Sequence, residues 1–131
     1  MTKSIATFLM FTGRCEEALT FYTAQVSNSA IDNITKWGPG GPGKEGTVMR
    51  ATFTLNGVKY QATDSPAIHK FDFTPSMSLF LECDSEAELD RLFAAFSEGG
   101  QVLMPLGNYG FSKKFGWCND RFGVSWQLNF A

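Results

Sequence analysis

The side chains with catalytic potential are few and widely spaced. The chain has one histidine, His69, and three cysteines, Cys15, Cys83 and Cys118. A cysteine nucleophile needs a base beside it, and His69 would have to reach a cysteine from a connecting segment. The sequence therefore favours buried, unreactive thiols over a cysteine enzyme.

The acidic residues also form no pair that spacing alone identifies. Asp64, Glu82 and Asp120 lie at the ends of predicted strands, where turn capping is common. Asp120 precedes Arg-Phe-Gly, so we expect its carboxylate to cap the turn that leads into the last strand. No complete catalytic or metal site is visible, and whether the chain is an enzyme stays open.

The last strand, "VSWQLNF" (124–130), contains a polar amide between two large apolar side chains. Side chains alternate along a strand, so Trp126 and Leu128 share one face and Gln127 has the other. If Trp126 and Leu128 pack under a helix, Gln127 faces a cavity. The alternative is an exposed amide on a solvated face.

The elements that position these residues follow one order twice: strand, helix, three strands. The first set is predicted at 4–11, 14–26, 30–37 and a hairpin over 47–65 that turns at Asn56-Gly57, with a Gly/Pro loop at 38–46. The second is predicted at 76–83, 84–100, 101–107, 113–120 and 124–130, with a Ser85…Glu88 capping box opening its helix. An offset of 70 residues superposes Met10 on Phe80.

This repeat predicts an α+β fold of two βαβββ modules that form a cupped, barrel-like mixed sheet with the helices outside. We expect a single domain over 1–131, with module 1 at about 4–64, module 2 at about 76–131 and a connection over 66–75. The cup would lie on the sheet side away from the helices. On the first strand we expect Thr7, Leu9 and Phe11 in the cup and Phe8 and Met10 in the core.

Composition excludes several classes of partner. A net charge of −2 over 131 residues, with dispersed Lys and Arg, gives no basic surface for nucleic acid or for an anionic membrane. The odd number of cysteines and the short apolar run at the N-terminus predict reduced thiols and no cleaved signal. We therefore expect a cytoplasmic protein.

Three stretches carry a family resemblance: "FLMFTGRCEEALTFY", "GKEGTVMRATFTLNG" and "LFLECDSEAELDRLFAAFSEGGQVLMPLGNYGFSKKFGWCNDRFGVSWQL". They resemble the vicinal oxygen chelate superfamily of glyoxalases, bleomycin-resistance proteins and extradiol dioxygenases. Within it they are most similar to the PhnB-like branch, also labelled the 3-demethylubiquinone-9 3-methyltransferase domain. The resemblance implies a glyoxalase-like cup, a homodimer and, in enzymatic members, a divalent metal held by His, Glu or Gln.

The metal-ligand positions of that superfamily carry over to Thr7, Ser78, Gln127 and, within a residue or so, Gln61. All four are neutral, and a divalent site needs converging anionic or imidazole ligands. We therefore predict no metal and no cofactor. Methyl transfer is also disfavoured, because the glycine-rich 38–46 segment precedes a strand and not the helix N-terminus that a nucleotide-type ligand uses.

The block 105–123 mixes aromatic residues with glycines and suits the rim of a pocket. The alternative is that these aromatics build a core and a dimer interface. We predict that the chain binds a small organic molecule in the cup without a catalytic metal; the alternatives are a metal-dependent lyase or isomerase and a 3-demethylubiquinone methyltransferase. The pocket candidates are Thr7, Leu9, Gln61, Ser78, Tyr109, Trp117 and Gln127.

Overall fold

The computed structural model describes residues 1–67 and 69–131. Ile68, which falls in the predicted connection 66–75, lies outside the described residues. The described residues form β1 (Thr7–Phe11), α1 (Cys15–Gln25), β2 (Ala30–Lys36), β3 (Val48–Leu55), β4 (Val58–Asp64), β5 (Ser78–Glu82), α2 (Glu86–Ser97), β6 (Gln101–Gly107), β7 (Lys114–Asn119) and β8 (Ser125–Phe130). The predicted βαβββ order, occurring twice, is confirmed.

The chain divides into two compact units, Met1–His69 and Lys70–Ala131. The first unit contains a four-stranded sheet in the order β1-β4-β3-β2, in which β1 runs parallel to β4 and the other neighbours are antiparallel. The second contains the sheet β5-β8-β7-β6, in which β5 runs parallel to β8. Both sheets are mixed, and the α+β class is confirmed.

Local sequence signals explain how the second helix begins. The Ser85 hydroxyl accepts a hydrogen bond from the backbone N–H of Glu88 at 3.1 Å, and the Glu88 carboxylate accepts one from the backbone N–H of Asp84 at 3.0 Å. These bonds satisfy donors that a helix N-terminus otherwise leaves without partners. The predicted capping box is therefore confirmed.

The hairpin between β3 and β4 turns where the sequence predicts. Asn56 and Gly57 have φ angles of 49° and 82°, the left-handed conformation that tight two-residue hairpins require.

Cys15, Cys83 and Cys118 are free and buried, as predicted.

The loop between β2 and β3 has no helix or strand, as predicted, and it packs on Trp37. The Trp37 N–H donates to the Thr47 carbonyl at 2.9 Å, and the Gly46 N–H donates to the Trp37 carbonyl at 3.1 Å. A Cβ added to Gly43 would lie 2.4 Å from the Trp37 indole. Glycine at position 43 therefore allows the loop to lie flat against the ring.

The predicted faces of β1 are wrong. Leu9 and Phe11 are buried, with 8% and 3% of their surface exposed, whereas Phe8 and Met10 are 45% and 38% exposed. Leu9 pairs with Ala62, which pairs with Ala51, and both alanines are buried. Leu9 and Phe11 therefore belong to the helix side of the sheet, and Phe8 and Met10 to the opposite side.

The start of β3 also departs from simple alternation. Alternation counted back from buried Ala51 would place Met49 on the core side, but Met49 is 39% exposed and Val48 is fully buried. The pairing of β2 with β3 shifts register between Thr35 and Lys36, opposite this point. Such a bulge reverses which side chains face the core.

No described helix has the length and hydropathy needed to span a membrane.

Candidate functional site

The side of the second sheet opposite α2 carries polar and aromatic residues. Trp126 and Leu128 are fully buried, and the Trp126 indole stacks on Phe96 of α2 with ring centroids 4.3 Å apart. This confirms that Trp126 packs under a helix, so Gln127 lies on the opposite side. We call that side the second open face; by strand alternation and register it carries Ser78, Phe80, Glu82, Phe115, Trp117, Asn119, Ser125, Gln127 and Asn129.

A chain of hydrogen bonds joins four of these residues. The Trp117 indole Nε1–H donates to Ser125 Oγ at 2.8 Å, and Ser125 Oγ lies 2.7 Å from Ser78 Oγ. Gln127 Nε2 donates to Ser78 Oγ at 3.3 Å. Three predicted pocket residues, Ser78, Trp117 and Gln127, therefore belong to one hydrogen-bonded chain with Ser125.

The number of available protons fixes the direction of the bond between the two serines. Ser125 is 1% exposed and already accepts from Trp117, so its own hydroxyl hydrogen is best used on Ser78. Ser78 then accepts from both Ser125 and Gln127. The half-buried Ser78 hydroxyl keeps its hydrogen for a further acceptor.

Aromatic rings gather beside this chain. The Phe115 ring centroid is 6.4 Å from that of Phe80, 6.1 Å from that of Tyr109 and 5.0 Å from that of Phe111. Phe115 is 4% exposed, while Phe80, Tyr109 and Phe111 are 53%, 41% and 63% exposed. Tyr109, the fourth predicted pocket residue in this unit, is held by its hydroxyl, which donates to the Pro105 carbonyl.

The three candidates of the first unit do not lie together. Gln61 pairs with Phe8 on the side opposite α1, and its Oε1 accepts from Arg50 Nη1 at 2.9 Å. The Arg50 guanidinium also lies over the Phe8 ring, 5.3 Å from its centroid. Thr7 and Leu9 alternate with Phe8 and therefore lie on the α1 side, away from Gln61.

Register also shows which positions of the two sheets correspond. Gln61 pairs with Phe8, as Ser125 pairs with Ser78, and Thr63 pairs with Met10, as Gln127 pairs with Phe80. Thr63 is therefore the counterpart of Gln127. Thr63 is 9% exposed, and its hydroxyl donates to the Met49 carbonyl at 2.7 Å, so this hydroxyl is used within the sheet.

Two acidic residues at strand ends, Asp64 and Asp120, are structural. Asp64 Oδ1 accepts from the backbone N–H groups of Gly13 and Cys15 at 2.7 and 3.0 Å, and its Oδ2 accepts from Val48 at 2.9 Å. Asp120 accepts from three N–H groups around the turn before β8. The predicted turn-capping role of Asp120 is confirmed.

The thiols are poor nucleophiles. Burial, reinforced by the charge of Asp64, raises the pKa of Cys15 to about 12. Burial and the charge of Asp120 raise the pKa of Cys118 to about 12, and burial with three nearby carboxylates raises the pKa of Cys83 to about 11. The thiolate, which is the reactive form, is therefore scarce at neutral pH.

Metal-ligand chemistry is equally sparse. Within residues 1–67 and 69–131, no three His, Cys, Asp or Glu side chains come close enough together to hold a metal ion. His69 Nε2 lies 2.7 Å from Ser65 Oγ in the connecting segment. The positions carried over from the superfamily do not fit a divalent ion, because Thr7 lies on the wrong side and Ser78 and Gln127 are neutral and bonded to each other.

Sequence alone missed four site residues: Phe80, Glu82, Ser125 and Asn129. Asn129 Nδ2 donates to both Glu82 carboxylate oxygens at 3.1 Å. The alternation that places Gln127 on the open face also places Asn129 there, and the pairing of β5 with β8 brings in Phe80 and Glu82. A sequence signal for Asn129 was therefore present, whereas the pairing was not readable from one strand.

Comparison with known proteins is consistent with this architecture. A model of the family described as 3-demethylubiquinone-9 3-methyltransferase matches residues 3–129. The chain is 53% identical, with a TM-score of 0.96, to a putative 3-demethylubiquinone-9 3-methyltransferase, PhnB protein, from Bacillus cereus, covering 98% of this chain and 100% of that one. A protein from Pseudomonas aeruginosa is 32% identical with a TM-score of 0.84, covering 98% of each chain.

More distant likeness extends to the glyoxalase fold. The fosfomycin resistance protein FosX from Mesorhizobium loti is 11% identical with a TM-score of 0.63, covering 100% of this chain and 94% of that one. Comparison with curated proteins gives no match. The glyoxalase-like fold is thus confirmed, and the chain belongs to the 3-demethylubiquinone-9 3-methyltransferase family, the PhnB-like branch of the vicinal oxygen chelate superfamily.

Proposed function

We propose that the chain binds a small organic molecule on the second open face and that this binding needs no catalytic metal. The observation that carries the proposal is the hydrogen-bonded chain of Trp117, Ser125, Ser78 and Gln127. These polar groups hold one another in place before any ligand arrives. A site whose side chains are already fixed loses less conformational entropy on binding.

The chemistry of the face limits the ligand. The Ser78 hydroxyl hydrogen is left for an acceptor, so one end of the ligand carries a carbonyl, amide or similar oxygen. Phe80, Tyr109 and Phe111 present half-exposed rings beside it, which suits a flat, partly aromatic body. A small number of convergent polar groups bordered by aromatic surface is typical of small-molecule sites.

The proposal of binding without metal is supported by donor chemistry. Ser78 and Gln127 are neutral, and Gln127 directs its amide nitrogen, which cannot bind a cation, towards Ser78. Gln61 in the first unit accepts from Arg50, a positive group that opposes a metal ion there. We therefore assign these residues to hydrogen bonding.

A titration with benzamide, a neutral planar amide, tests the proposal. In ¹H–¹⁵N spectra we expect saturable shifts of the Trp117 indole N–H and the Gln127 side-chain amide, while the Trp126 indole N–H, bonded to Asp120 on the helix side, stays unchanged. Ser78→Ala should weaken binding by about three- to tenfold, the worth of one neutral hydrogen bond.

Ser97→Ala is the matched control, because the Ser97 hydroxyl donates within α2 to the Phe93 carbonyl at 2.6 Å. That variant should bind benzamide as the unchanged protein does. If neither benzamide nor phenol shifts any signal of the second open face up to its solubility limit, the proposal is rejected.

Methyl transfer, which the family description names, requires a separate test. The glycine-rich segment lies between β2 and β3 and is followed by a strand, so it does not open a helix whose N-terminus could hold a nucleotide-type ligand. Calorimetric titration with S-adenosylmethionine should show no saturable heat. Saturable heat, or stoichiometric divalent metal in the purified protein, would support an enzyme instead.

We also infer that the chain forms a homodimer and is cytoplasmic. Phe8, Met10 and Met49 expose between 38% and 45% of their surface, and exposed apolar side chains favour association. Light scattering after size exclusion should give about twice the 14.5 kDa chain mass. A monomer mass at micromolar concentration would reject the dimer.

A further inference from the structure

A buried amide oxygen on the second open face lacks a partner. Asn129 is 7% exposed, and its Oδ1 has no hydrogen-bond partner among the described residues. Buried polar groups in folded proteins are nearly always hydrogen-bonded, so such an oxygen often marks a place that a ligand or water completes.

The orientation of that amide is fixed by its other end. Asn129 Nδ2 donates to both oxygens of the Glu82 carboxylate at 3.1 Å. Rotating the amide by half a turn would place its oxygen against the negative carboxylate, which is repulsive. Oδ1 is therefore the buried atom left without a partner, and it can only accept.

Asn129 pairs with Phe115 of β7, whose ring lies next to that of Phe80. Asn129 lies on β8 between Phe80-bearing β5 and Phe115-bearing β7, and the two rings approach to 6.4 Å. Phe80 is 53% exposed, so its ring can turn towards solvent with little loss of packing. A flat ligand that stacks on Phe115 in its place would lie beside Asn129, the register partner of Phe115.

Glu82 brings a negative charge to this end of the face. Glu82 is exposed and belongs to the same face, next to Asn129. Lys114 cannot neutralise it, because its ammonium is held by Asp90 and Glu86 of α2 at 2.8 and 3.3 Å, on the helix side. A positively charged N–H donor therefore fits both the carboxylate and the unpaired amide oxygen.

We propose that the Glu82–Asn129 end of this face binds a protonated amine or amidine carried on an aromatic ring. This deepens the proposed function and rests on it, because the ligand body is the one that the Phe80 and Phe115 rings accept. Ser78 and Glu82 are four residues apart on β5, about 13 Å at roughly 3.3 Å per residue. The complete ligand is then an elongated aromatic amine with an oxygen acceptor at its far end.

Three probes of one shape test the charge. Benzamidine is cationic, benzamide is neutral and benzoate is anionic. Benzamidine should bind at least about tenfold more tightly than benzoate and should shift the Asn129 side-chain amide signal. Glu82→Gln should weaken benzamidine about fivefold, the modest effect of an exposed carboxylate, and leave benzamide unchanged.

Glu45→Gln, at an exposed position of the β2–β3 loop, is the matched control and should leave benzamidine affinity unaltered. Asn129→Leu should abolish the preference for benzamidine over benzoate. If the loss of this buried contact prevents the variant from folding, the comparison of the three probes on the wild-type protein decides the question.

The outcomes separate the two proposals. If benzamide binds at the second open face but benzamidine binds no more tightly than benzoate, the amine site is wrong and the proposed function stands. If a crystal structure with benzamidine shows only a water molecule on Asn129 Oδ1, the amine site is also wrong. If none of the probes binds, both proposals fail.

Discussion

Replacing Asp120 should loosen the strand that carries Ser125 and Gln127. The carboxylate is 3% exposed; its Oδ1 accepts from the N–H groups of Phe122 and Val124 at 2.8 and 3.0 Å. Its Oδ2 accepts from the Trp126 indole at 2.9 Å. The side chain therefore ties the turn before β8 to the strand itself.

The loss of stability in Asp120→Ala can be estimated from the N–H groups that lose their acceptor. Asp120→Ala leaves three N–H groups without their acceptor, and a buried donor without a partner costs about 1–3 kcal/mol, so the free energy of unfolding should fall by at least about 3 kcal/mol. Asp120→Asn keeps an oxygen for the two backbone donors but turns an NH₂ group towards the indole. Its cost should be about 2 kcal/mol.

Urea unfolding followed by circular dichroism measures these values, with Asp84→Ala as an exposed aspartate of the same unit for control. The control should stay within about 0.5 kcal/mol of the unchanged protein. The folded Asp120→Asn protein should also bind benzamide more weakly, because the strand carrying Gln127 is less firmly held. If Asp120→Ala costs less than about 1 kcal/mol, or Asn costs as much as Ala, the assignment of three bonds to this carboxylate is refuted.

Three further changes test local features. Gly43→Ala should lower stability by about 1–3 kcal/mol in thermal unfolding, because the new Cβ would meet the Trp37 indole. Gly38→Ala, which has open space around its Cβ, is the control and should be neutral. Equal effects of the two substitutions would contradict this packing. Burial raises the pKa of the Cys15 thiol from 9.0 to about 12, so the contribution of this thiol to stability is complete below pH 9.0 and is lost as the pH rises towards 12. The free energy of unfolding of the Cys15→Ala protein should therefore decline less steeply between about pH 8 and about pH 11. A decline identical to that of the wild-type protein would contradict the pKa shift. Ser85→Ala should cost about 1 kcal/mol in urea unfolding through loss of the α2 cap, and no change would show that the cap is dispensable.

The sequence predicts which face of a strand meets the helix only where the two faces differ in polarity. On β8 the large apolar Trp126 and Leu128 alternate with the polar Gln127, so one strand shows which side meets the helix. On β1, "TFLMF", Phe8 and Met10 are as apolar as Leu9 and Phe11. Alternation carries no information where both faces are apolar, and the β1 prediction was wrong by one residue, which exchanges every side chain between faces.

The misplaced candidate Thr7 has a different origin. Its assignment counts back from Phe21-Tyr22 of the predicted helix, which assumes that the segment between strand and helix has the superfamily's usual length. The 70-residue repeat instead aligns Phe8 with Ser78, and both lie on the side away from their helices. Internal alignment compares two modules of the same chain, so it was the sounder guide to this face.

The two sheets share an order and a parallel edge pair, yet their open faces differ in how firmly their polar groups are held. In the first unit Gln61 is bound by Arg50, whose long side chain lies over Phe8 and must be ordered for any defined contact. In the second, short serine hydroxyls on paired strands meet an indole and an amide at fixed positions. Short side chains on rigid strands lose little entropy when a ligand binds, because each has few rotamers to give up. Specific recognition should therefore reside in the second unit.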